Sequence, residues 1–236
     1  MYKHSLWALM MVAIAFPAMA DEAEGPWSGK ATLGYLATSG NTENSNLNAA
    51  FEVAYAANKW LHEFRAAAIS ASESDSTTAE AYDLGWRSER NFTETDFLFG
   101  RLDWRSDRFS TYEKQFSQTV GYGRRVISGD THNLSIEVGA GARQSDLADG
   151  SSESEFIFRA GANYVWTLSD TSKFKQDLNI EAGEVNTFLE SVTAISASLV
   201  GNLSLVASYT VRHNTDVLPA TEKTDTFSAL SLEYLF

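Results

Sequence analysis

The chain has 236 residues and no cysteine, and its 18 lysines and arginines against 31 aspartates and glutamates give a formal net charge of −13. The missing cysteines exclude disulfide scaffolds, thiolate zinc sites and cysteine nucleophiles. The acidic balance argues against a nucleic-acid partner, because binding to phosphates requires an excess of basic side chains.

Residues 1–20 have the pattern of a cleaved secretory signal peptide. A short basic start precedes the apolar run Leu6–Phe16, and Ala18 and Ala20 provide the small residues that are read at a cleavage site. An N-terminal membrane anchor is the alternative, but the apolar run is too short to cross a bilayer comfortably. We therefore expect residues 1–20 to be removed on export and residues 21–236 to form one domain.

From Trp27 onward, apolar and polar residues alternate in segments separated by turn residues, a pattern typical of β-strands. About twelve segments are predicted, each of about 9–14 residues, which is the length of a tilted strand that crosses a membrane. The tenth segment has the weakest pattern. In chain order, the apolar faces are centred near Leu33, Phe51, Ala66, Leu84, Leu102, Val120, Val138, Ala160, Leu178, Val192–Val200, Ala207 and Leu232.

The connections between the predicted strands alternate in length. The odd-numbered ones, such as Asp107–Lys114, Ser145–Ser152 and Asn214–Lys223, are longer than the even-numbered ones, such as Asn58–Lys59 and Gly201–Asn202. This alternation is typical of outer-membrane barrels. The predicted fold class is therefore all-β: a single antiparallel transmembrane β-barrel of about twelve strands, with long external loops and short periplasmic turns.

Alternation alone does not show which face points inward, because a soluble lipocalin-like barrel or β-sandwich alternates as well. The end of the chain favours the membrane barrel. Phe236 is preceded by Tyr234 and Leu232 at alternate positions, which resembles the assembly signal of outer-membrane proteins, read when the last strand adds to the edge of the insertion machinery. We therefore expect the protein in a Gram-negative outer membrane, with lipid, lipopolysaccharide and the barrel-assembly machinery as partners.

Several stretches of the chain resemble the YdiY-like "salt-induced outer membrane protein" family, a family of unknown function. They are Gly34-Tyr35, the TSGNTE run at 38–43, GRLDW at 100–104, SYTVRHN at 208–214, TEKTDT at 221–226 and the aromatic end. The resemblance covers essentially the whole mature chain. It implies a Gram-negative outer-membrane barrel, and it implies no activity, ligand or catalytic residue.

Twelve strands predict a narrow lumen, between the filled eight-stranded barrels and the open porins of sixteen to eighteen strands. The polar face carries both signs of charge, and opposite charges inside a barrel are expected to pair. The predicted network that lines the lumen comprises Glu63, Arg65, Asp83, Arg87, Arg101, Asp103, Arg105, Glu137, Arg159, Asp177, Glu181 and Arg212. Two functions follow: a structural or envelope-stress barrel with a mostly occluded lumen, or a narrow passive channel for small polar or charged solutes.

An outer-membrane enzyme is a third hypothesis. The mature chain holds three histidines, His62, His132 and His213, and the predicted strand order places the first two at the periplasmic end and the third at an external loop. No Ser/His/acid set is therefore expected at one rim, and the possible carboxylate pairs are matched by arginines. We predict neither an enzyme nor a cofactor.

The predicted external loops are acidic and include Glu184 and Glu190. Ordinary solvated loops explain such a composition. The alternative is a set of divalent-cation sites that bridge the loops to lipopolysaccharide. Asp146, Asp149 and Glu153 are the candidates for metal binding, although their spacing is not that of an EF-hand loop.

Overall fold

The computed structural model describes residues 25–38, 44–73, 76–219 and 221–236. The predicted signal peptide, with its cleavage residues Ala18 and Ala20, lies outside them. No helix within the described ranges is long and apolar enough to cross a membrane. The described residues form twelve strands: β1 Trp27–Thr38, β2 Asn44–Ala57, β3 Trp60–Glu73, β4 Ser76–Asn91, β5 Asp96–Asp107, β6 Tyr112–Ser128, β7 His132–Leu147, β8 Ser152–Ser169, β9 Ser172–Gly183, β10 Thr187–Val200, β11 Leu203–Asn214 and β12 Thr224–Leu235.

Each strand pairs antiparallel with the next, and β12 returns to β1, so that the sheet is a closed barrel. The closing pair is short: Lys30–Leu33 faces Leu232–Leu235. Two backbone hydrogen bonds between Gly29 and Phe236 extend it, at 2.8 and 3.0 Å. Closure gives each described strand a neighbour on both sides, and a bilayer favours this because lipid cannot satisfy backbone N–H and C=O groups. The predicted twelve-stranded antiparallel barrel is confirmed.

The outer wall is apolar and the lumen is polar. The large exposed side chains on the outer wall are aromatic or aliphatic, among them Tyr35, Phe51, Leu84, Trp86, Val120, Val138, Phe158, Tyr209, Leu230, Leu232 and Tyr234. By contrast, Arg143 and Glu181 are completely buried inside. A protein dissolved in water has the opposite arrangement, whereas a barrel in lipid needs an apolar outer band.

The barrel has two distinct ends. At the turn end lie the short connections 58–59, 92–95, 129–131, 170–171 and 201–202, together with the start of β1 and the end of β12. At the loop end, the described connections are 108–111, 148–151, 184–186 and 215–223, with residue 220 outside the described set.

Most connections at the loop end are shorter than the sequence pattern predicts. Ser106 pairs with Lys114 and Asp146 with Ser152, so the predicted loops Asp107–Lys114 and Ser145–Ser152 are largely strand. Side chains beyond the lipid need not be apolar, so the alternation of apolar and polar residues ends there. The backbone groups still pair, and the hydrogen-bonded strands therefore extend further than the alternation. Residues 215–223 form the one extended connection among the described parts of this end.

Phenylalanine rings fill part of the lumen where glycines make room. Phe97 and Phe99 of β5 point inward and are almost fully buried. A Cβ atom at Gly123 would lie 2.2 Å from the Phe97 ring, and one at Gly121 would lie 2.6 Å from the ring of Phe99. β6 therefore needs glycine at both positions, because any larger residue would occupy the space of a ring.

Candidate functional site

The most deeply buried charges form a cluster near the loop end, on β7, β8 and β9. Arg143 contacts Glu155 at 2.5 Å and Glu181 at 3.6 Å, and Arg159 contacts Glu181 at 2.8 Å. Strand register brings these side chains together, because Arg143 lies opposite Glu155 and Arg159 opposite Glu181. Ser117 of β6 donates a hydrogen bond to Glu181 at 3.1 Å, so the cluster spans four strands.

A second cluster bridges nearly opposite walls. Arg212 of β11 contacts Asp83 of β4 at 2.8 Å and Glu190 of β10 at 2.8 Å. Arg105 adds a contact to Asp83 at 3.4 Å, and its guanidinium lies 4.0 Å from the centre of the Phe188 ring. Because strands β4 and β11 are not neighbours, the Arg212–Asp83 pair crosses the lumen.

A third cluster lies closer to the turn end, around Arg87 of β4. Its guanidinium contacts Glu63 at 3.3 Å, Glu89 at 2.9 Å and Glu137 at 2.6 Å. Arg125 of β6 also pairs with Glu89. The Arg87 guanidinium lies 5.4 and 5.7 Å from the rings of Phe97 and Phe99, so the charges and the rings form one packed mass.

Asp103 connects the first cluster to the centre of the lumen. Its carboxylate accepts two hydrogen bonds from Arg101, at 2.5 and 2.8 Å. Arg65 of β3 lies 3.8 Å from the same carboxylate and Arg159 of β8 lies 4.0 Å from it. A bidentate pair of this kind fixes the orientation of both side chains.

The connection 215–223 crosses the mouth of the barrel at the loop end. The backbone N–H of Leu218 donates to Thr111 Oγ1 on the opposite rim at 2.9 Å, and the N–H of Asp216 donates to Asn186 Oδ1 at 3.2 Å. The side chain of Asn186 in turn donates to Asn214 at 2.8 Å. Thr111 and Asn186 are both buried, and these contacts hold the connection against the rim of the barrel.

The turn-end half of the lumen is more open where β1–β3 face β9 across it. Five charged side chains there remain 27–41% exposed, in contrast to the cluster around Arg143, and Glu63 of the third cluster is also 42% exposed. We call this space the vestibule and define it by Lys30, Glu52, Arg65, Lys175 and Asp177. Both signs of charge line it, with Lys30 3.3 Å from Glu52 and Lys175 3.0 Å from Asp177.

All twelve residues predicted to line the lumen lie on its face, and each makes at least one ion pair. Glu52, Glu89, Arg143 and Glu155, which the alternation also assigns to the polar face, join these clusters, and the prediction left out four further partners: Lys30, Arg125, Lys175 and Glu190. Glu190 is the clearest difference, because it was expected in an external loop and instead lies inside the barrel beside Arg212.

The three candidate metal ligands do not come together. Asp146 accepts a hydrogen bond from Ser152, while Glu153 lies on the lumen face of β8, opposite Ser145. Asp149 accepts the hydroxyl of Ser151 at 2.5 Å and its N–H at 2.9 Å, and these bonds hold the pKa of that carboxyl below its usual range. The part of the chain that the structure describes contains no group of three His, Asp or Glu that could hold a metal.

The three histidines also lie apart, on the outer wall. His62 stacks between Trp60 and Trp86, with ring centres 5.7 and 6.4 Å apart. His132 bonds to the hydroxyl of Tyr164 at 2.9 Å, and His213 bonds to a threonine of β12 at 2.8 Å. Each therefore has a local structural contact and none faces the lumen.

Comparison with known proteins gives a family and a fold. The model of a family described as "Protein of unknown function, DUF481" matches residues 31–236. The uncharacterized protein YdiY of Escherichia coli K12 is 33% identical over 222 residues, which cover 93% of this chain and 88% of that protein. The family resemblance that the sequence motifs indicated is thereby confirmed.

Solved structures share the architecture at very low identity. An outer-membrane channel from Pseudomonas putida F1 superimposes with a TM-score of 0.52 at 9% identity, covering 90% of this chain and 96% of that one. The NanC porin superimposes with a TM-score of 0.50 at 9% identity, covering 88% and 97%. These similarities concern the fold alone. Together with the apolar outer wall, they identify the chain as an outer-membrane β-barrel protein.

Proposed function

Since the chain belongs to the family of unknown function DUF481, we propose its role from the geometry of its own lumen: it is a structural barrel of the outer membrane whose lumen is closed at rest. The observation that carries this proposal is the contact between Arg212 and Asp83. A guanidinium that holds a carboxylate on the far wall leaves no wide path between the walls. The connection 215–223 adds a second closure at the loop end.

The ion pairs suit a structural role because, among the described residues, every arginine, aspartate and glutamate that is buried in the lumen has a partner of opposite sign, although Glu153, which is half-buried, has none. A buried charge without a partner is strongly unfavourable, so the walls cannot separate without a large cost in free energy. A barrel closed in this way also adds protein to the membrane without adding a leak. We extend the structural role to envelope stress on that basis: cells without the protein should lose resistance to osmotic shock or detergent.

A narrow passive channel for small polar or charged solutes is the second candidate, and the vestibule favours it. Its half-exposed charges of both signs suit water and small ions better than a packed interior does. For solutes to pass, the Arg212–Asp83 pair and the contact between Leu218 and Thr111 would have to open. Function as a channel therefore requires a second conformation of the loop end.

Conductance in planar bilayers separates the two candidates. We expect the wild-type barrel to be silent, and the double variant Asp83→Ala/Arg212→Ala to show discrete openings. The double variant removes both members of the cross-lumen pair, although Glu190 and Arg105 lose a partner with them. The matched control is Glu80→Ala/Arg108→Ala, which removes a pair at the loop end with an Arg108 side chain that is 68% exposed, and it should stay silent.

Discrete wild-type openings whose ion selectivity changes in Arg65→Ala or Arg101→Ala would contradict the closed barrel and support the channel. A catalytic role has no support in the lumen, where carboxylates are matched by arginines. We further propose lipid and lipopolysaccharide as partners of the apolar outer wall. The barrel-assembly machinery is the proposed partner of the last strand, which ends in Leu232, Tyr234 and Phe236.

A further inference from the structure

Two cationic side chains meet on the outer wall at the turn end. Lys59 lies in the turn between β2 and β3. Arg90 lies on β4, opposite Trp60 of β3. The N–H of Asn91 donates to the Lys59 carbonyl at 2.7 Å, which holds the two segments together. The Arg90 guanidinium lies 5.6 Å from the Trp60 ring. Among the described residues, neither cation makes an ion pair with a carboxylate.

Cations without a carboxylate partner are unexpected in a chain with a net charge of −13. The neighbouring carboxylate, Asp96, is already engaged by Arg124 at 3.5 Å and by the hydroxyl of Thr93 at 2.7 Å. Lys59 and Arg90 therefore present two positive charges at the boundary of the apolar band. Basic pockets at such a boundary attract the phosphates of anionic lipids.

An open cavity of about 350 Å³ lies directly at these two cations. Lys59, Arg90 and Asn91 form its rim together with Phe92 and Leu98, and the surface of the cavity itself is almost entirely apolar. An apolar cavity with two exposed cationic side chains at its rim matches a ligand with a charged head group and a hydrocarbon chain. A free inorganic anion would use only the rim.

The apolar wall continues up the barrel along β5. A second cavity of about 170 Å³ lies between the rings and aliphatic chains of Phe64, Leu84, Trp86, Leu102, Trp104 and Phe116. Gly100 lies between Leu98 and Leu102 on the same outer face, and a Cβ atom there would meet nothing within 4 Å. From Leu98 to Leu102 the strand rises about 13 Å, at about 3.3 Å per residue. The missing side chain at Gly100 leaves open space on the outer face between Leu98 and Leu102, and we call the stretch from the first cavity over Gly100 to the second the groove.

We propose that this groove binds one anionic phospholipid of the periplasmic leaflet. The phosphate lies between Lys59 and Arg90, and an acyl chain runs over Gly100 into the cavity beside Trp86 and Trp104. Short turns mark the periplasmic side of outer-membrane barrels, so the cations face the leaflet that contains phospholipid. This site is on the outer wall and does not depend on whether the lumen conducts.

The experiment uses the purified barrel in detergent micelles, with phosphatidylglycerol or phosphatidylcholine whose acyl chains carry bromine. Quenching of Trp60, Trp86 and Trp104 fluorescence reports on the groove, in a background with Trp27→Phe and Trp166→Phe that leaves these three tryptophans. We expect phosphatidylglycerol to bind more tightly by about fivefold for each cation, the factor that corresponds to about 1 kcal/mol per basic side chain. Lys59→Ala/Arg90→Ala should abolish this preference.

Two further variants test the groove and the charge separately. Gly100→Phe fills the groove and should weaken quenching by phosphatidylglycerol although both cations remain; Gly100→Leu serves the same purpose if the larger ring disturbs assembly. Arg108→Ala/Lys114→Ala removes two cations at the loop end and should leave the preference unchanged. Folding of every variant is checked by its heat-modifiable migration in electrophoresis.

Three outcomes would overturn the proposal. Equal quenching by the two lipids in the wild-type background would mean that the groove holds only bulk lipid. Displacement of phosphatidylglycerol by the same concentration of glycerol phosphate would mean that the rim binds anions without the groove. Tighter binding of lipopolysaccharide than of phosphatidylglycerol would assign the site to the other leaflet.

Discussion

Arg143 illustrates how a fully buried charge is stabilised in this lumen. Its guanidinium contacts Glu155 at 2.5 Å, lies 3.6 Å from Glu181 and donates to the carbonyl of Asn186 at 2.6 Å. Substitution Arg143→Ala removes the one arginine that pairs with Glu155 and leaves that carboxylate buried. We expect the free energy of unfolding to fall by about 3–5 kcal/mol, the range measured when one member of a buried ion pair is removed.

The measurement is the temperature or urea concentration at which heat-modifiable migration is lost. The control is Arg108→Ala, which removes an exposed pair with Glu80 and should cost less than about 1 kcal/mol. Equal stability of Arg143→Ala and Arg108→Ala would show that water enters the cluster and screens its charges.

Gly123 supports a second prediction at the scale of one residue. Gly123→Ala places a methyl group 2.2 Å from the Phe97 ring, which is buried and lies 4.8 Å from the Arg125 guanidinium. Overpacking of this kind costs about 1–3 kcal/mol. The second change Phe97→Leu should recover part of that loss, as read from urea unfolding of the double variant against both single variants. Additive losses in the double variant would contradict the proposed clash.

The sequence pattern assigns residues to the lumen face but does not predict which of them pair across the lumen. Alternation with a period of two assigns Asp83 and Arg212 to the inner face, because every second residue of a strand points the same way. Their mutual contact depends on the curvature of the whole barrel, because the curvature brings the inner faces of β4 and β11 close enough for their side chains to form an ion pair. No local pattern contains that information, and the rings of Phe97 and Phe99 escaped prediction for the same reason.

At the scale of single strands, β10 shows where the pattern loses its meaning. Its outer face carries Ser191 and Thr193, which are polar although they face the apolar band. Gln176 of β9 donates to Ser191 at 2.9 Å and accepts from Thr193 at 2.6 Å, so these groups satisfy one another. Because both faces of β10 contain polar residues, the alternation there does not define a strand clearly, and the sequence pattern predicts Glu190 in a loop.

The β1–β12 seam supports a prediction about assembly. Lys30–Leu33 alone pairs with β12, whereas β1 pairs with β2 along its whole length. Phe236 extends the seam through two backbone hydrogen bonds to Gly29, and its ring lies 6.0 Å from that of Phe51. Deletion of Phe236 removes these contacts from the weakest pair of the barrel. We expect slower assembly and more proteolysis in the periplasm, measured as the heat-modifiable fraction after a pulse of synthesis.

The matched control for that deletion is Phe156→Ala, which removes an exposed outer-wall ring on β8, away from the seam. It should assemble at the normal rate. Normal membrane levels and normal kinetics after deletion of Phe236 would show that the seam closes without the terminal residue.

At the scale of the whole molecule, the barrel is asymmetric from end to end. The buried clusters around Arg143 and Arg212 lie toward the loop end, beneath the connection 215–223. The vestibule lies toward the turn end and holds the half-exposed charges. The turn-end half also differs from side to side, because glycines on β6 admit the rings of Phe97 and Phe99 on one side, while Lys30 and Glu52 on β1 and β2 stay partly exposed on the other.

A chain without cysteine allows this asymmetry to be measured directly. We expect Lys175→Cys, in the vestibule, to react with a maleimide too large for porins only after the periplasm is opened. Ser145→Cys, buried at the loop end, should not react from either side until the barrel is unfolded. Ala148→Cys, on an exposed loop, should react on intact cells and so establish which end faces outward. Reaction of Lys175→Cys on intact cells, at the rate seen for Ala148→Cys, would mean that the loop end is open and that the buried clusters do not close the lumen.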